Sequence, residues 1–501
     1  MGKRLIITIL LCWVILFGWS TLATKLHLVE NKAVTPSNLP AAPPASISTV
    51  TPTLVTAPSE SPSFKISQPK WEFIFGESDA SIREVTFPDY QLSKFNLQYG
   101  LLLGDGSLQF KKERSSPDSL AFVYKDKEKE ILKVFLFHND NYTNELKINV
   151  QNNTSKDLDI SLPLIVGILN TTPSQTQPQS ITVALEKNIM NFSPNKNSDL
   201  KEIRFLALKD KYFSIIVQSD EKNQEGFVRK ISGNKTEVGL ILKTGIIKPG
   251  EQLTRTYLVY LGPQDNKLIN AANPQWTVIM SYGSLDFIAQ VTLKILEFFY
   301  KIVGSWGWAI VILGVLVFVI LFPLTRKQMH SIKAMQALQP QIDALRKMYK
   351  DNPQKLNKEM MELWRTHKIN PLGGCLPLLL QLPVILVLFQ VLSRHIALKG
   401  AHFLWVKDLS GPDRLFVLPN ALPLLGNEIN LLPIVFAILM FIQQKISVVK
   451  TSPEAQQQQK MMVVLLPIIF AFFLYHMPAG LVIYWLVNSS LMLIYQLKLA
   501  K

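Results

Sequence analysis

Asn370-Pro-Leu-Gly-Gly-Cys-Leu-Pro-Leu-Leu-Leu-Gln-Leu-Pro-Val-Ile-Leu-Val-Leu-Phe-Gln390 is the stretch from which the rest of the chain can be read. From Leu372 to Val391 it carries no formal charge. At about 1.5 Å per helical residue it is long enough to cross a hydrocarbon layer of roughly 30 Å. It reads as a membrane span. Gln381 places an amide about halfway along it, between Pro377 and Pro383. Each proline lacks an N–H and frees a backbone carbonyl, so this span belongs beside protein or trapped water rather than lipid alone.

The charge pattern orients that span. The chain has 501 residues, 48% of them hydrophobic, and a formal net charge of +15. The positive excess is concentrated at Lys3 and Arg4, in Arg326–Asn370, in Lys445–Lys460, and at Lys498 and Lys501. Arg326–Asn370 alone holds ten Lys/Arg against four Asp/Glu. These segments flank apolar runs, so the positive-inside rule places them in the cytoplasm. A nucleic-acid reading of the same charge is weaker, because the charge follows the spans. Cys12 and Cys375 both fall in apolar segments, which leaves no disulfide framework and no paired-cysteine metal site.

Working outward, residues 1–24 form an N-terminal membrane anchor. The apolar run Leu5–Ala23 follows Lys3 and Arg4; its length, with Trp13 and Trp19, favours retention over cleavage as a signal peptide. Residues 25–70 are a Pro/Ser/Thr-rich disordered linker, with eight prolines between Ala33 and Lys70. Residues 71–280 change period. Alternating segments such as Ile131–Phe137, Glu145–Val150, Tyr212–Gln218 and Arg255–Tyr260 are separated by Asn, Asp, Gly and Pro clusters, which predicts an all-β sandwich domain. It contains no spaced ligand set or partnered nucleophile, so binding or spacing is favoured over catalysis.

Residues 281–301 predict an interfacial amphipathic helix, with Leu285, Ile288, Ala289, Leu293, Leu296, Phe299 and Tyr300 as its apolar, membrane-facing side. Residues 302–325 are the second span. Residues 326–370 predict a cytoplasmic helical hairpin, turned at Lys350–Pro353 with Asn352 as N-cap and Pro353 at the first helical position. Its basic faces are either simply solvated or a docking arm for an acidic or RNA-rich partner. Residues 371–501 hold four further spans, loops and a short tail, which makes six spans with both termini cytoplasmic.

Polar groups inside those spans are the functional candidates. Tyr484, Asn488 and Tyr495 share one helical face, with Ser489 and Ser490 beside Asn488; Gln381 lies in another span and His476 near the end of a third. Singly, such residues are equally interhelical glue or cavity lining; together, among many span prolines, they favour a polar cavity. The spans after Asp286 and Glu297 contain no Asp or Glu, which disfavours a proton- or cation-coupled transporter. No intramembrane Ser/His or Asp/Asp arrangement suggests a protease. The chain reads as a non-enzyme with no cofactor and no metal.

Asn370–Pro383 closely resembles the signature of the YidC family of bacterial membrane protein insertases. So do Phe322–Thr325, Met335–Pro340, Phe403–Ser410 (Phe-Leu-Trp-Val-Lys-Asp-Leu-Ser) and Pro478–Trp485, in order. The resemblance implies an α-helical polytopic membrane protein: a five-helix insertase core around a hydrophilic groove, with an all-β periplasmic supersandwich. It implies insertion and folding of nascent membrane proteins, alone or with the Sec translocon, among membrane lipids; the basic cytoplasmic loops are the candidate contact for a ribosome. One position departs. The family's groove arginine, five residues before the proline of Phe-Pro-Leu-Thr, is Phe318 here. Arg326 lies eight residues on, roughly 12 Å along a helix, too far to take its place. The groove is therefore expected to act through hydration and neutral polar groups. A channel or solute transporter and a non-inserting assembly scaffold are the competing readings.

Overall fold

The computed structural model describes residues 62–138, 142–170, 180–186, 188–192, 197–231, 235–349, 352–367, 376–422, 426–447 and 453–500. The anchor, linker residues 25–61 and Asn370–Cys375 lie outside them. The end of the expected linker is instead a strand, Ser63–Ser67, because Phe64 and Ile66 pack against the β core and its backbone pairs with Glu72–Gly76.

The alternating segments become strands of two antiparallel sheets. One is four-stranded, in the order β1 (Ser63–Ser67), β2 (Glu72–Gly76), β3 (Ile82–Phe87), β4 (Ser93–Gly100). The other has thirteen strands and includes Lys129–Phe137, Thr143–Asn152, Phe213–Ser219 and Gln252–Pro263. Successive side chains point to opposite faces, so Ile131, Phe135 and Phe137 face inward with Leu146, Ile148 and Val150 of the adjoining strand. Phe73 and Phe75 of β2 meet them across the interior, with ring centroids 5.2 Å apart for Phe73–Phe137 and 5.0 Å for Phe75–Phe135. Each such buried ring contributes about 2–3 kcal/mol, and this seam fixes the two sheets on one core.

The same alternation drives a lysine inside. Lys133 shares the inward register of Ile131 and Phe135 and is 0% exposed. Its ammonium donates to Ala80 O at 2.7 Å and to Leu101 O, and lies over the Phe135 ring at 5.0 Å. Both acceptors belong to residues in left-handed backbone, Ala80 at φ 50° and Leu101 at φ 58°. Lys133 thus ties the large sheet to the β2–β3 turn and the end of β4, at two places where the chain is strained. Burial pushes its pKa down from 10.5 to about 7, against the pull of Asp79. The folded state therefore binds fewer protons than the unfolded state between these values, and stability rises with pH across that window. Half-buried Lys209, lowered by its desolvation to about 8, acts in the same direction, whereas buried Asp210, raised by burial to about 7, acts below the window. We expect thermal stability of the β domain in the full chain to climb between pH 7.5 and 9.5. Lys133→Met should remove about half of that climb, Lys209 supplying the rest; a slope unchanged in the variant would refute the assignment.

Beyond the strands the chain turns helical. α1 (Asn266–Ala272) is capped by Asp265, whose carboxylate accepts from Lys267 N at 2.7 Å and Leu268 N at 3.2 Å. Trp276 follows, buried, and its indole donates to Gln218 on the sheet at 2.8 Å. α2 (Asp286–Val303) ends on Gly304 in left-handed backbone at φ 67°. The sequence turns its Ala289, Leu293 and Leu296 face toward the membrane; the structure turns that face onto protein. The residues left outward are Phe287, Ile288, Val291, Phe298 and Ile302. An amphipathic pattern locates an apolar face but not what covers it; here neighbouring helices do.

α3 (Trp306–Ala337) runs through the second span and Pro323 into the basic insert. α4 (Gln339–Met348) and α5 (Pro353–Thr366) follow, so the expected hairpin is present but its first arm breaks at Leu338. Pro340 is the cause: it suits a helix's first turn and opposes continuation of α3. Asn352 caps α5 as the sequence indicates, its side-chain oxygen accepting from Lys355 N at 3.0 Å. α6 (Leu376–Arg394), α7 (Leu431–Ser447), α8 (Pro453–Leu474) and α9 (Ala479–Ala500) complete the helical part. Among the described residues, Trp306–Met335 and Ala479–Lys498 are long and apolar enough to cross a membrane; Leu382–Arg394, Leu431–Ile446 and Val463–Leu474 are shorter apolar helices.

The two parts are joined at defined contacts. Lys267 pairs with Glu297 of α2 at 3.1 Å. In the α6–α7 loop, Ser410 O accepts from Lys211 Nζ at 3.2 Å and Tyr212 OH at 3.4 Å. Lys399 Nζ lies 4.6 Å from the Tyr212 ring centroid, and Ile396 packs into the β-domain core.

Candidate functional site

The polar candidates fall largely on α9 and what packs against it. Tyr484 is fully buried among helices, and its carbonyl accepts from Asn488 Nδ2 at 3.1 Å. Asn488 is half-buried. α3 comes close enough to meet it because residue 314 is glycine: a Cβ there would stand 3.1 Å from Val487 Cγ1 and 3.6 Å from Asn488 Nδ2. On the next helix Gln443, near the end of α7, donates its amide to Ser489 O. Gln443 joins the polar group from outside the sequence-based selection, where it reads as a residue closing a span. Its apolar approach and the Gln443-Gln444-Lys445 run point to a helix end; no local pattern reveals that it faces α9.

Phe318 is half-buried and occupies the start of an aromatic row. Its ring lies 5.8 Å from Phe322, and Phe322 meets Tyr495 of α9 edge-on at 5.0 Å. A neutral ring ladder therefore links α3 to α9 at this level. Gln381 lies within α6, but its side chain is outside the described residues. His476 is not gathered with the others. It is exposed beyond the end of α8, its ring against Tyr475 at 5.4 Å.

The opposite end of the bundle carries a polar clasp not selected from sequence. Asp413 Oδ2 accepts from Leu431 N and Leu432 N, both at 2.8 Å, capping α7, and from Trp405 Nε1 at 3.3 Å. Asn430 accepts from Arg414 N at 2.9 Å and donates to Tyr475 O at 2.8 Å; Tyr475 OH donates to Glu428 O at 2.6 Å. Asp413 and Asn430 are buried. Net charge across the loop balances in the sequence, which conceals that one carboxylate is internal.

Residues 298–501 match the family described as 60Kd inner membrane protein, and residues 106–295 match the YidC periplasmic domain. A membrane protein insertase YidC from Pelobacter propionicus is 32% identical over 430 residues, covering 83% of this chain and 77% of that protein. This chain belongs to the YidC family. The YidC of Herminiimonas arsenicoxydans is 33% identical over 72% of this chain and 65% of its own length; for that of Ralstonia nicotianae the values are 37%, 57% and 49%. The chain thus spans about half to two thirds of the length of these two relatives. A solved YidC insertase aligns over 86% of this chain and 92% of its own, at 18% identity and a TM-score of 0.41. As a YidC family member the protein is an inner-membrane protein with a β-rich periplasmic domain and a helical core. The α6–α7 loop that touches Lys211 and Tyr212 therefore lies at the periplasmic end of the bundle.

Proposed function

We propose that the protein is a membrane protein insertase and chaperone, which inserts, folds and helps assemble nascent inner-membrane proteins. The family membership carries this reading. In it the chain crosses the membrane six times: the 1–24 anchor, 302–325 and four spans within 371–501. The β domain, which begins with β1, is a periplasmic supersandwich behind the remaining linker, helix 281–301 is interfacial, and hairpin 326–370 and both termini are cytoplasmic. The Sec translocon is a partner for part of the substrate set, and the basic insert meets the ribosome.

Gln381, Asn488 and Ser489, with Phe318 at the edge, line the substrate groove; Tyr484, fully buried, backs it and holds Asn488 through its carbonyl, and Gln443 joins it through Ser489. His476 marks the periplasmic end. Neutral polar groups beside half-buried helix faces hold water, which shortens the low-dielectric path for a substrate's polar tail. The substrate's apolar segment passes along the lipid side, and its burial in lipid supplies the driving force without a nucleotide. The pure protein in liposomes should protect a short single-span substrate from protease above the level of empty liposomes. A photo-crosslinker at Asn488 should capture that substrate during synthesis. Protection equal to empty liposomes, beside an active arginine-bearing relative, would sink the insertase reading.

A further inference from the structure

Among the described residues, two exposed leucines have left-handed backbone: Leu92 at φ 52° and Leu404 at φ 53°. Such a conformation disfavours a branched side chain and suits glycine, so a leucine held there calls for an external reason. Leu404 has a setting that supplies one. Phe403 and Val406 exchange both backbone hydrogen bonds at 2.9 Å, leaving Leu404 and Trp405 as a two-residue hairpin tip. The first tip position of such turns is where positive φ is required and glycine is usual. Here it carries an apolar side chain that is 72% exposed.

The tip is rigidly mounted. Asp408 Oδ1 accepts from Gly400 N at 3.1 Å, Ser410 N at 2.9 Å and Ser410 Oγ at 2.7 Å. Phe403 meets the Trp308 ring edge-on at 5.5 Å, and any side chain at Gly307 would overlap the Phe403 ring. Leu409 O accepts from Gly480 N at 3.0 Å and Gly411 O from Ala479 N at 2.6 Å. The loop is thus bolted to the first turns of α3 and α9, the two described helices long enough to cross a membrane. Trp308, Phe416 and Val417, at 53%, 61% and 63% exposure, add further uncovered apolar surface to the same end of the bundle.

We propose that the Leu404–Trp405 tip is a lipid anchor, seated at the headgroup–acyl boundary of the periplasmic leaflet and fixing the depth of the helical core. Three observations select lipid as the occupant. The tip is fastened to the ends of spanning helices, its neighbour Trp308 is an exposed indole at a span end, where aromatic residues mark the interface, and the exposed apolar tip is flanked by exposed His402 and Lys407, whose polar ends suit the headgroup level beside a buried apolar body. The inference rests on the membrane placement used above and not on insertion activity.

The test uses the full chain in liposomes, with Cys12 and Cys375 replaced by serine and an environment-sensitive fluorophore on Leu404→Cys. A second label on Phe416→Cys guards against local damage, and Ile246→Cys, 72% exposed on the β domain, serves as the aqueous control. Lipids brominated near the headgroup should quench the 404 and 416 labels at least twofold and leave 246 unchanged. Emission at 404 and 416 that is water-like and unquenched would overturn the anchor. So would a label shielded from water but not quenched by lipid, which would indicate a second copy of the chain seated on the tip. Quenching only by bromines deep in the acyl chains would equally reject a boundary position. Leu404→Gly should keep or raise Tm in detergent, since glycine suits the turn; a fall of several degrees would make Leu404 a packing residue instead.

Discussion

Asp413→Ala is expected to destabilise the helical core by about 3 kcal/mol, on the order of 5–10 °C in the Tm of the full chain in detergent. The carboxylate is 2% exposed and gathers three donors: the first two free N–H groups of α7 and the indole of Trp405. The N-terminus of a helix favours a negative group, and losing its cap typically costs about 1 kcal/mol. The remainder comes mainly from the two α7 N–H groups left without a partner; the Trp405 indole, 37% exposed, can turn to water. Asp413→Asn retains one acceptor oxygen and should recover about half of the loss. Equal melting of the alanine variant and the parent would show that the clasp is incidental. Arg414→Ala serves as the contrast. Its side chain pairs with Glu428 at 2.8 Å but is half exposed, so the change should cost well under 1 kcal/mol.

Phe318→Arg should improve insertion of substrates with acidic periplasmic tails roughly fivefold while altering neutral-tail substrates less than twofold. A unit charge about 8 Å from a carboxylate, at the effective dielectric near a protein surface, gives roughly 2 kcal/mol, and groove water should screen about half of that. The remaining 1 kcal/mol corresponds to the fivefold. The cost is loss of the Phe318–Phe322 ring contact, about 1 kcal/mol of stability. Protease protection in liposomes, run on paired substrates differing only in tail charge, measures both effects. Equal improvement of neutral and acidic tails would refute the electrostatic account; a uniform loss would mean that the ring row is required to hold α3 against α9.

Much of this organisation was legible in the residues because it depends on local periodicity. Alternation in Ile131–Phe137 and Glu145–Val150 marked strands, and those strands extend two to four residues further because neighbours supply ladder partners. Asn352-Pro353 marked the start of α5, since capping is chemistry within four residues. The polar face of Tyr484 and Asn488 followed from helical spacing. The break at Pro340 was equally local but was masked by apolar residues that continue at helical spacing on both sides.

What the sequence by itself determined, then, is which surfaces are apolar, which segments are helix or strand, and that an aromatic ring rather than a charge stands at position 318. The tertiary structure decided what each surface meets. It turned the Ala289–Leu296 face of α2 onto protein, paired Gln443 with Ser489, left His476 outside the polar group, and put Asp413 at the head of a helix eighteen residues downstream. The physical reason is range. Propensity and periodicity act over a few residues of backbone, whereas burial of an amide, a carboxylate or Lys133 depends on partners tens of residues away, whose carbonyls and N–H groups are positioned only once the chain has packed.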